Sequence, residues 1–206
     1  IIVLTSDHGD YLGDHWLGEK ELFYEEVARI PMIVVDPSAA SDATRGTKDS
    51  RFVESIDLIP TFMELAGCDD LPDHWLEGRS LVPLLRGKKD VEWRDAAFCE
   101  CDYAVRHARN TLGMGPEDCR SYMVRNERWK FTLYEGFRPQ LFDMENDPGE
   151  LNDLGGDPDY EVIRREMSDR LFEWMRKRRL RTALSNADIA KRTGSAKKRG
   201  YFFGVW

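Results

Sequence analysis

IIVLTSDHGD, residues 1–10, places a run of apolar, mostly β-branched side chains directly before a polar cluster. Residues 1–5 show no alternation of apolar and polar positions, so they predict a strand buried on both faces, as in a parallel sheet flanked by helices. Residues 30–35, IPMIVV, are the comparable run further along the chain. Two such strands make a poor sheet, and neither a glycine-rich nucleotide loop nor further βαβ units follow. We therefore expect the end of a larger α/β sheet, with the rest of that domain and any targeting signal lying before residue 1.

The polar cluster contains Asp7 and His8, and the ligand sites of open α/β sheets lie beyond the carboxyl ends of such strands. An anionic oxygen beside an imidazole suits a divalent cation, and Gly9 lets the backbone turn closely around it. Two adjacent side chains cannot fill a coordination sphere, so we expect the other ligands to come from elsewhere. The pair admits calcium, magnesium, manganese or zinc. The alternative is that both residues serve only as turn formers at a strand end.

Two further residues of the same segment are candidates for a site. Lys20 could offset the charge of a bound oxyanion, as a point charge on a flexible stem. The alternative is that Lys20 begins an exposed helix and pairs with Glu25 or Glu26. His15 is the second candidate, as a residue that lines the pocket.

The remainder of the sequence predicts a mixture of helices and strands. Residues 53–67 have apolar side chains at helical spacing, with Asp57 as an inner cap and Gly67 as the C-cap. Residues 159–179 have the most regular three-to-four spacing and predict an amphipathic helix. Strands are expected over residues 95–101, 122–125, 129–134 and 140–143. Residues 68–94 are expected to be rich in loops, with a short apolar turn over 80–85, and residues 104–119 are expected to form a surface loop.

The formal net charge is −8, but it is unevenly distributed. From Arg164 onward there are thirteen Lys or Arg and four Asp or Glu, and the chain ends in the aromatic run YFFGVW, residues 201–206. We expect this basic arm to pack either on its own subunit or on a neighbouring one in a homo-oligomer. The negative total and the lack of a recognised motif argue against nucleic-acid binding. No apolar run approaches the roughly 20 residues of a membrane span, so no membrane insertion is expected.

The four cysteines are too few for a disulfide scaffold. Cys99 and Cys101 lie two residues apart within a predicted strand. No second Cys/His pair at zinc-finger spacing accompanies them, so a zinc finger is not expected. We expect free thiols in a reducing compartment, the cytoplasm.

The string TSDHGDYLGDHWLGEKELFYEEVARIPMIVVDP, residues 5–37, resembles the sulfatase and phosphonate monoester hydrolase branch of the alkaline phosphatase superfamily. Members of this branch have Asp-His-Gly after a central strand and a lysine thirteen residues beyond the Asp, the spacing of Asp7 and Lys20 here. An aromatic-Glu-Glu element and an Arg-hydrophobic-Pro strand follow in the same order. The resemblance continues through residues 55–61, 78–85, 123–131 and 141–150.

The resemblance implies roles for individual residues. Asp7 and His8 would be metal ligands. Lys20 would hold the sulfuryl or phosphoryl oxygens, and His15 could line the pocket. Such enzymes use a formylglycine nucleophile made from Cys or Ser in a Cys-x-Pro-x-Arg motif, and no cysteine of this chain is followed by Pro and Arg at those positions. The resemblance therefore places the nucleophile and most metal ligands in a missing N-terminal catalytic half, so that this chain alone is inactive or nearly so.

The expected organisation has three parts. Residues 1–90 form the C-terminal part of an alkaline-phosphatase-like catalytic core, the end of its central sheet with flanking helices. Residues 91–180 form a small α+β C-terminal subdomain with a short antiparallel sheet and one long helix, and residues 181–206 form the basic tail. The expected function is metal-dependent hydrolysis of a small-molecule sulfate, phosphate or phosphonate ester. The alternative is a catalytically inactive remnant that acts as an assembly module through its tail.

Overall fold

A computed structural model describes residues 1–68 and 75–178, together with residues 187, 188 and 191. The chain divides into two compact units, one of residues 1–54 and 83–177, the other of residues 55–82 and 178–206. The expected division into core, subdomain and tail stays a prediction. The basic tail and its expected docking or oligomer contact lie outside the described residues, apart from the three positions named.

The first unit begins with two short strands, β1 (Ile2–Thr5) and β2 (Met32–Val35), which confirms both as strands. The expected parallel direction is wrong, and the expected burial by the rest of a larger sheet stays a prediction. The strands pair antiparallel, and Ile2, Leu4 and Ile33 are each more than half exposed. The segment between the strands folds back and returns the chain in the opposite direction. An unbroken apolar run therefore indicated a strand. It did not indicate whether that strand pairs parallel or antiparallel with its neighbour.

The second sheet of the first unit is formed by β3 (Ala96–Asp102), β4 (Arg120–Asn126), β5 (Trp129–Tyr134) and β6 (Gln140–Asp143). These strands are adjacent in that order, and every neighbouring pair is antiparallel. The side-chain oxygen of Asn126 closes the central hairpin, because it accepts hydrogen bonds from the backbone N–H groups of Arg128 and Trp129. The predicted antiparallel sheet is confirmed.

Five α-helices have bounds that the structure describes: α1 (Glu25–Ala28), α2 (Leu58–Leu65), α3 (Val82–Leu85), α4 (His107–Leu112) and α5 (Glu161–Lys177). The long helix α5 confirms the helix predicted over residues 159–179. α4 corrects the surface loop expected over residues 104–119, because a six-residue helix is too short to produce a periodic pattern. None of these helices is both long and apolar enough to cross a membrane.

One face of the four-stranded sheet packs against α5 and forms the hydrophobic core of the first unit. Phe98 on β3 and Trp174 on α5 stack with ring centroids 4.9 Å apart. The core consists of Ala96, Tyr122, Val124, Phe131, Leu141, Met167 and Leu171.

The opposite face of the same sheet is polar by sequence and yet buried. Lys130 and Thr132 alternate with the core residues of β5, and both are about 98% or more inaccessible to solvent. They are covered by the segment that leads into α1. The ring of Tyr24 lies 5.8 Å from that of Phe142, and its hydroxyl accepts a hydrogen bond from Gln140. The sheet is therefore a middle layer, with α5 on one side and the segment after β1 on the other.

The second unit is described through α2 and the chain near residue 79. Gly67 ends this helix with φ 72°, and the N–H of Cys68 donates to the carbonyl of Met63 at 2.9 Å, which confirms the predicted C-terminal glycine. Asp57 precedes the helix, but its side chain makes no local cap. Its carboxylate instead accepts the backbone N–H of Arg79 at 2.7 Å. Asp57 thus links two segments of the unit rather than capping its own helix.

Candidate metal and oxyanion site

The Asp-His-Gly sequence follows β1 directly, and a backbone hydrogen bond orients its imidazole. Nδ1 of His8 lies 2.7 Å from the backbone oxygen of Gly9. A carbonyl oxygen can only accept, so in the neutral ring Nδ1 carries the proton and Nε2 presents its lone pair. Metal-binding histidines have this arrangement, with the non-ligating nitrogen donating to a carbonyl or carboxylate.

Three of the predicted site residues meet at this nitrogen. The ammonium group of Lys20 lies 2.8 Å from Nε2 of His8, and a carboxylate oxygen of Asp7 lies 3.4 Å from the same atom. Lys20 belongs to a turn and not to a helix, since the next helix, α1, begins five residues later. The structure thus brings together the carboxylate, the imidazole and the ammonium group that the sequence indicated.

Glu25 and Glu26, at the start of α1, were the alternative partners expected for Lys20. Both contact other side chains instead. Glu25 Oε1 lies 3.1 Å from Nζ of Lys130, and Glu26 Oε2 lies 3.5 Å from Nε2 of His15. The imidazole of His15 also stacks on the ring of Tyr24, with centroids 4.0 Å apart. His15 therefore packs between its own loop and α1, and its expected role in lining the pocket stays a prediction.

The loop that leads from His8 to Lys20 has a strained backbone. Two backbone hydrogen bonds close it, from Tyr11 N–H to Glu19 O and from Gly13 N–H to Leu17 O, each 3.0 Å. Left-handed backbone at a residue with a Cβ costs about 1–2 kcal/mol and persists only where the surroundings hold it. The left-handed non-glycine residues of this loop are Leu12, His15, Trp16 and Glu19.

Tyr11 anchors this loop to the protein interior. Its side chain is fully buried, and its ring makes edge contacts with Tyr24 and His15 at centroid distances of 6.1 and 6.4 Å. Burial raises the pKa of the Tyr11 phenol above its ordinary value, so the group stays neutral. The strained backbone is thus held by a packed aromatic cluster, which keeps Lys20 near His8.

The Asp7 carboxylate is exposed and stays ionised. Partial desolvation acts to raise its pKa, but the backbone hydrogen bonds from Asp7 and His8 and the positive charge of Lys20 lower it below its usual value of 3.8. An ionised carboxylate is the form that coordinates a metal ion.

A divalent cation fits these groups in part. The Asp7 carboxylate supplies oxygen, and the Nε2 lone pair of His8 supplies nitrogen, both suited to calcium, magnesium, manganese or zinc. Among the described residues, no three His, Cys, Asp or Glu side chains gather into a group that could hold a metal ion. The pair can therefore provide only part of a coordination sphere.

Sequence reasoning missed a buried ion cluster behind the site. Nζ of Lys130 lies 2.8 Å from Glu150 Oε1 and 3.1 Å from Glu25 Oε1, and the side chains of Lys130 and Glu150 are each only 1% exposed. The alternation of Lys130 with apolar neighbours is equally typical of a solvated sheet face. No signal in the sequence distinguishes that case from burial against a segment a hundred residues away.

Comparison with known proteins identifies the class. The family model described as "N-sulphoglucosamine sulphohydrolase, C-terminal" matches residues 13–177. The chain belongs to this family, and its relatives are sulfatases and phosphonate monoester hydrolases of the alkaline phosphatase superfamily.

Two curated relatives and one solved structure illustrate the relationship. The multifunctional alkaline phosphatase superfamily protein PehA of Trinickia caryophylli is 32% identical, over 84% of this chain and 34% of its own length. The N-acetylglucosamine-6-O-sulfatase of Bacteroides thetaiotaomicron is also 32% identical, over 84% of this chain and 29% of its own length. The phosphonate monoester hydrolase of Agrobacterium radiobacter superposes with a TM-score of 0.78 at 33% identity, over 86% of this chain and 35% of that one. The chain spans about a third of the length of the proteins it matches.

Proposed function

We propose that this chain supplies two metal ligands, Asp7 and His8, and an oxyanion-binding lysine, Lys20, to a hydrolase of sulfate, phosphate or phosphonate esters. The observation that carries the proposal is the convergence of the Lys20 ammonium, at 2.8 Å, and the Asp7 carboxylate, at 3.4 Å, on Nε2 of His8. The relationship to sulfatases and phosphonate monoester hydrolases supports the reaction class.

Each of the three side chains has a separate part. A bound divalent cation would polarise the ester oxygens and stabilise the charge that develops on them. Asp7 and the Nε2 lone pair of His8 would hold that cation, and the hydrogen bond to Gly9 would keep the ring oriented. Lys20 would turn its N–H donors from His8 to the sulfuryl or phosphoryl oxygens. The attraction between its ammonium group and these oxygens would increase as negative charge develops on them.

The remaining parts of the reaction lie outside these 206 residues in this proposal. The nucleophile, expected to be a formylglycine, and the other ligands would come from the missing N-terminal catalytic half, so the 206-residue segment by itself is expected to be inactive. The substrate would be a small-molecule ester. The four unpaired cysteines support a cytoplasmic location. A homo-oligomer formed through the basic tail belongs to the same proposal.

The test compares variants of the native polypeptide that contains this chain, with 4-nitrophenyl sulfate and an aryl phosphonate monoester as substrates. Asp7→Asn and His8→Ala are expected to lower both metal content and hydrolysis. Lys20→Met should retain the metal but reduce kcat/KM by about 10²–10³-fold, the usual effect of removing one oxyanion donor.

Asp10→Asn is the matched control, because Asp10 is an exposed carboxylate of the same loop that accepts the local N–H of Leu12. It should behave as wild type in both measurements. Wild-type metal content and wild-type turnover in Asp7→Asn and His8→Ala would rule the proposal out. The intact mass of the native protein, measured at the same time, shows whether further residues accompany the chain.

A further inference from the structure

The strongest feature outside the proposed site is the ion cluster of Lys130, Glu25 and Glu150, here called the buried triad. Lys130 is the second residue of β5, and its ammonium contacts Glu150 at 2.8 Å and Glu25 at 3.1 Å. Burying charged groups is costly unless they are paired with good geometry, and removing one partner leaves an uncompensated charge inside the protein. The triad therefore joins the sheet to α1 through charge contacts, two of whose three side chains are almost fully buried.

Glu150 also holds the start of α1 directly. Its second oxygen, Oε2, accepts the backbone N–H of Glu25 at 2.7 Å, and Glu25 is the first residue of that helix. Tyr24, the N-cap residue, makes no side-chain cap. The first N–H groups of a helix need an acceptor from outside the helix. Glu150, 125 residues further along the chain, is that acceptor.

α1 in turn supports the backbone immediately after His8. The N–H of Gly9 donates to the carbonyl of Val27 at 3.0 Å. The approach is so close that a Cβ on Gly9 would lie 1.8 Å from the backbone oxygen of Glu26. The carbonyl of Gly9 accepts the Nδ1 proton of His8. One glycine therefore contacts α1 through its N–H and orients the imidazole through its C=O.

We infer that the buried triad is a positioning device for the metal-binding pair, acting from Lys130 and Glu150 through α1 and Gly9 on His8. The inference rests on the proposed function, because the orientation of His8 matters only if its Nε2 binds a cation. Neither Lys130 nor Glu150 touches substrate or metal in this scheme. Groups that orient a ligating histidine change metal affinity by about 10–100-fold when they are removed.

The test uses the native polypeptide with Mn²⁺ as the probe. In Lys130→Met, the buried Glu150 carboxylate loses its cation, while Glu25 keeps Arg125, 3.8 Å away. The contact of Glu150 with α1 is therefore strained, and α1 and Gly9 are expected to loosen. The Gly9 amide should exchange at least about tenfold faster while the amides of β4 and β6 stay protected. The Mn²⁺ dissociation constant should rise by about 10–100-fold. Saturating Mn²⁺ should restore kcat, which a general loss of structure would not allow.

Arg128→Met is the matched control, since Arg128 belongs to the same hairpin but pairs with Asp143 and Glu145. It should leave Gly9 exchange and Mn²⁺ affinity unchanged. Glu150→Ala is the second variant, because it removes the support of α1 while Lys130 keeps Glu25 as a partner. If Lys130→Met does not fold, Gly9 exchange and Mn²⁺ affinity in Glu150→Ala test the inference.

A folded Lys130→Met or Glu150→Ala protein with wild-type Gly9 exchange and wild-type Mn²⁺ affinity would overturn the inference. Failure of the proposed function gives a different result. In that case the wild-type protein itself would not bind Mn²⁺, and Gly9 exchange in the variants would still report whether the triad holds the segment after His8.

Discussion

Gly9 is the residue on which the site depends most, and the reason is space rather than backbone angle. Its φ lies outside the left-handed region that glycine alone favours. A Cβ placed on Gly9, however, would lie 1.8 Å from the backbone oxygen of Glu26. Any side chain would meet that oxygen, and a backbone atom cannot move aside as a flexible side chain can. The sequence showed that a glycine follows Asp7 and His8. The structure shows that it allows two backbone segments to touch.

Gly9→Ala is expected to lower the free energy of unfolding by about 1–3 kcal/mol, the usual cost of an added methyl group in a tightly packed place. Gly18→Ala is the matched control, because Gly18 lies in the same segment and a Cβ there would have no atom within 4 Å. That variant should change stability by less than about 0.5 kcal/mol. Urea denaturation of both variants measures the difference, and equal midpoints would contradict the close approach.

Among the secondary-structure elements, β5 shows how an alternating pattern can mislead. Phe131 faces the core and Lys130 and Thr132 face the other way, which in a two-layer protein would be the solvent side. Here the segment leading into α1 covers that side. The composition of residues 122–134 was sufficient to predict the strand as part of a hairpin. The local sequence does not show what covers the second face of the strand, because the covering segment lies about a hundred residues earlier in the chain.

The end of β6 depends on a single carboxylate. Asp143 receives hydrogen bonds from Arg128, with Nη2 at 2.9 Å, and from the side-chain amide of Asn146, also at 2.9 Å. The bond from Arg128 is the largest cause that lowers the pKa of Asp143 from 3.8 to about 2, against a smaller opposing effect of desolvation. Protonation of this carboxyl therefore favours the unfolded chain. Its stabilising contribution is complete above about pH 4 and is lost as the pH falls towards 2.

Asp143→Asn is accordingly expected to lower stability at pH 7 and to flatten its dependence on pH between 4 and 2. The urea midpoint as a function of pH, compared between wild type and variant, measures this. Asp169→Asn, which replaces an exposed carboxylate of α5, provides the control and should follow the wild-type curve. If the Asp143→Asn and wild-type curves run parallel down to pH 2, the ion pair has no such role.

At the scale of the whole molecule, one face of the β1–β2 pair exposes a row of apolar side chains. Ile2 lies opposite Val35 and Leu4 opposite Ile33, and all four side chains are between 41% and 69% exposed. Directly opposite residues of an antiparallel pair lie on the same face. This face is therefore a continuous apolar patch on two short strands, of the kind that promotes association.

The 206-residue segment expressed by itself is expected to bind the dye ANS and to self-associate through this patch. The double variant Leu4→Ser/Ile33→Ser should reduce both effects. Val105→Ser, which changes an apolar side chain that is 91% exposed outside either sheet, should not. Dye fluorescence and sedimentation velocity provide the two measurements. A monomeric wild-type segment without dye binding would show that the patch is covered by residues of the same chain.

The elements and the candidate residues were largely readable from local pattern. Composition identified the β4–β5 hairpin, three-to-four spacing identified α5, and the thirteen-residue step from Asp7 to Lys20 marked the site, because each of these signals lies within a short window of sequence. The antiparallel direction of β1 and β2, the contact of Lys20 with His8, and the burial of Lys130 were not readable in this way. Each depends on which distant segment arrives beside a residue, and that is settled only when the whole chain packs so that apolar surfaces and buried charges find partners.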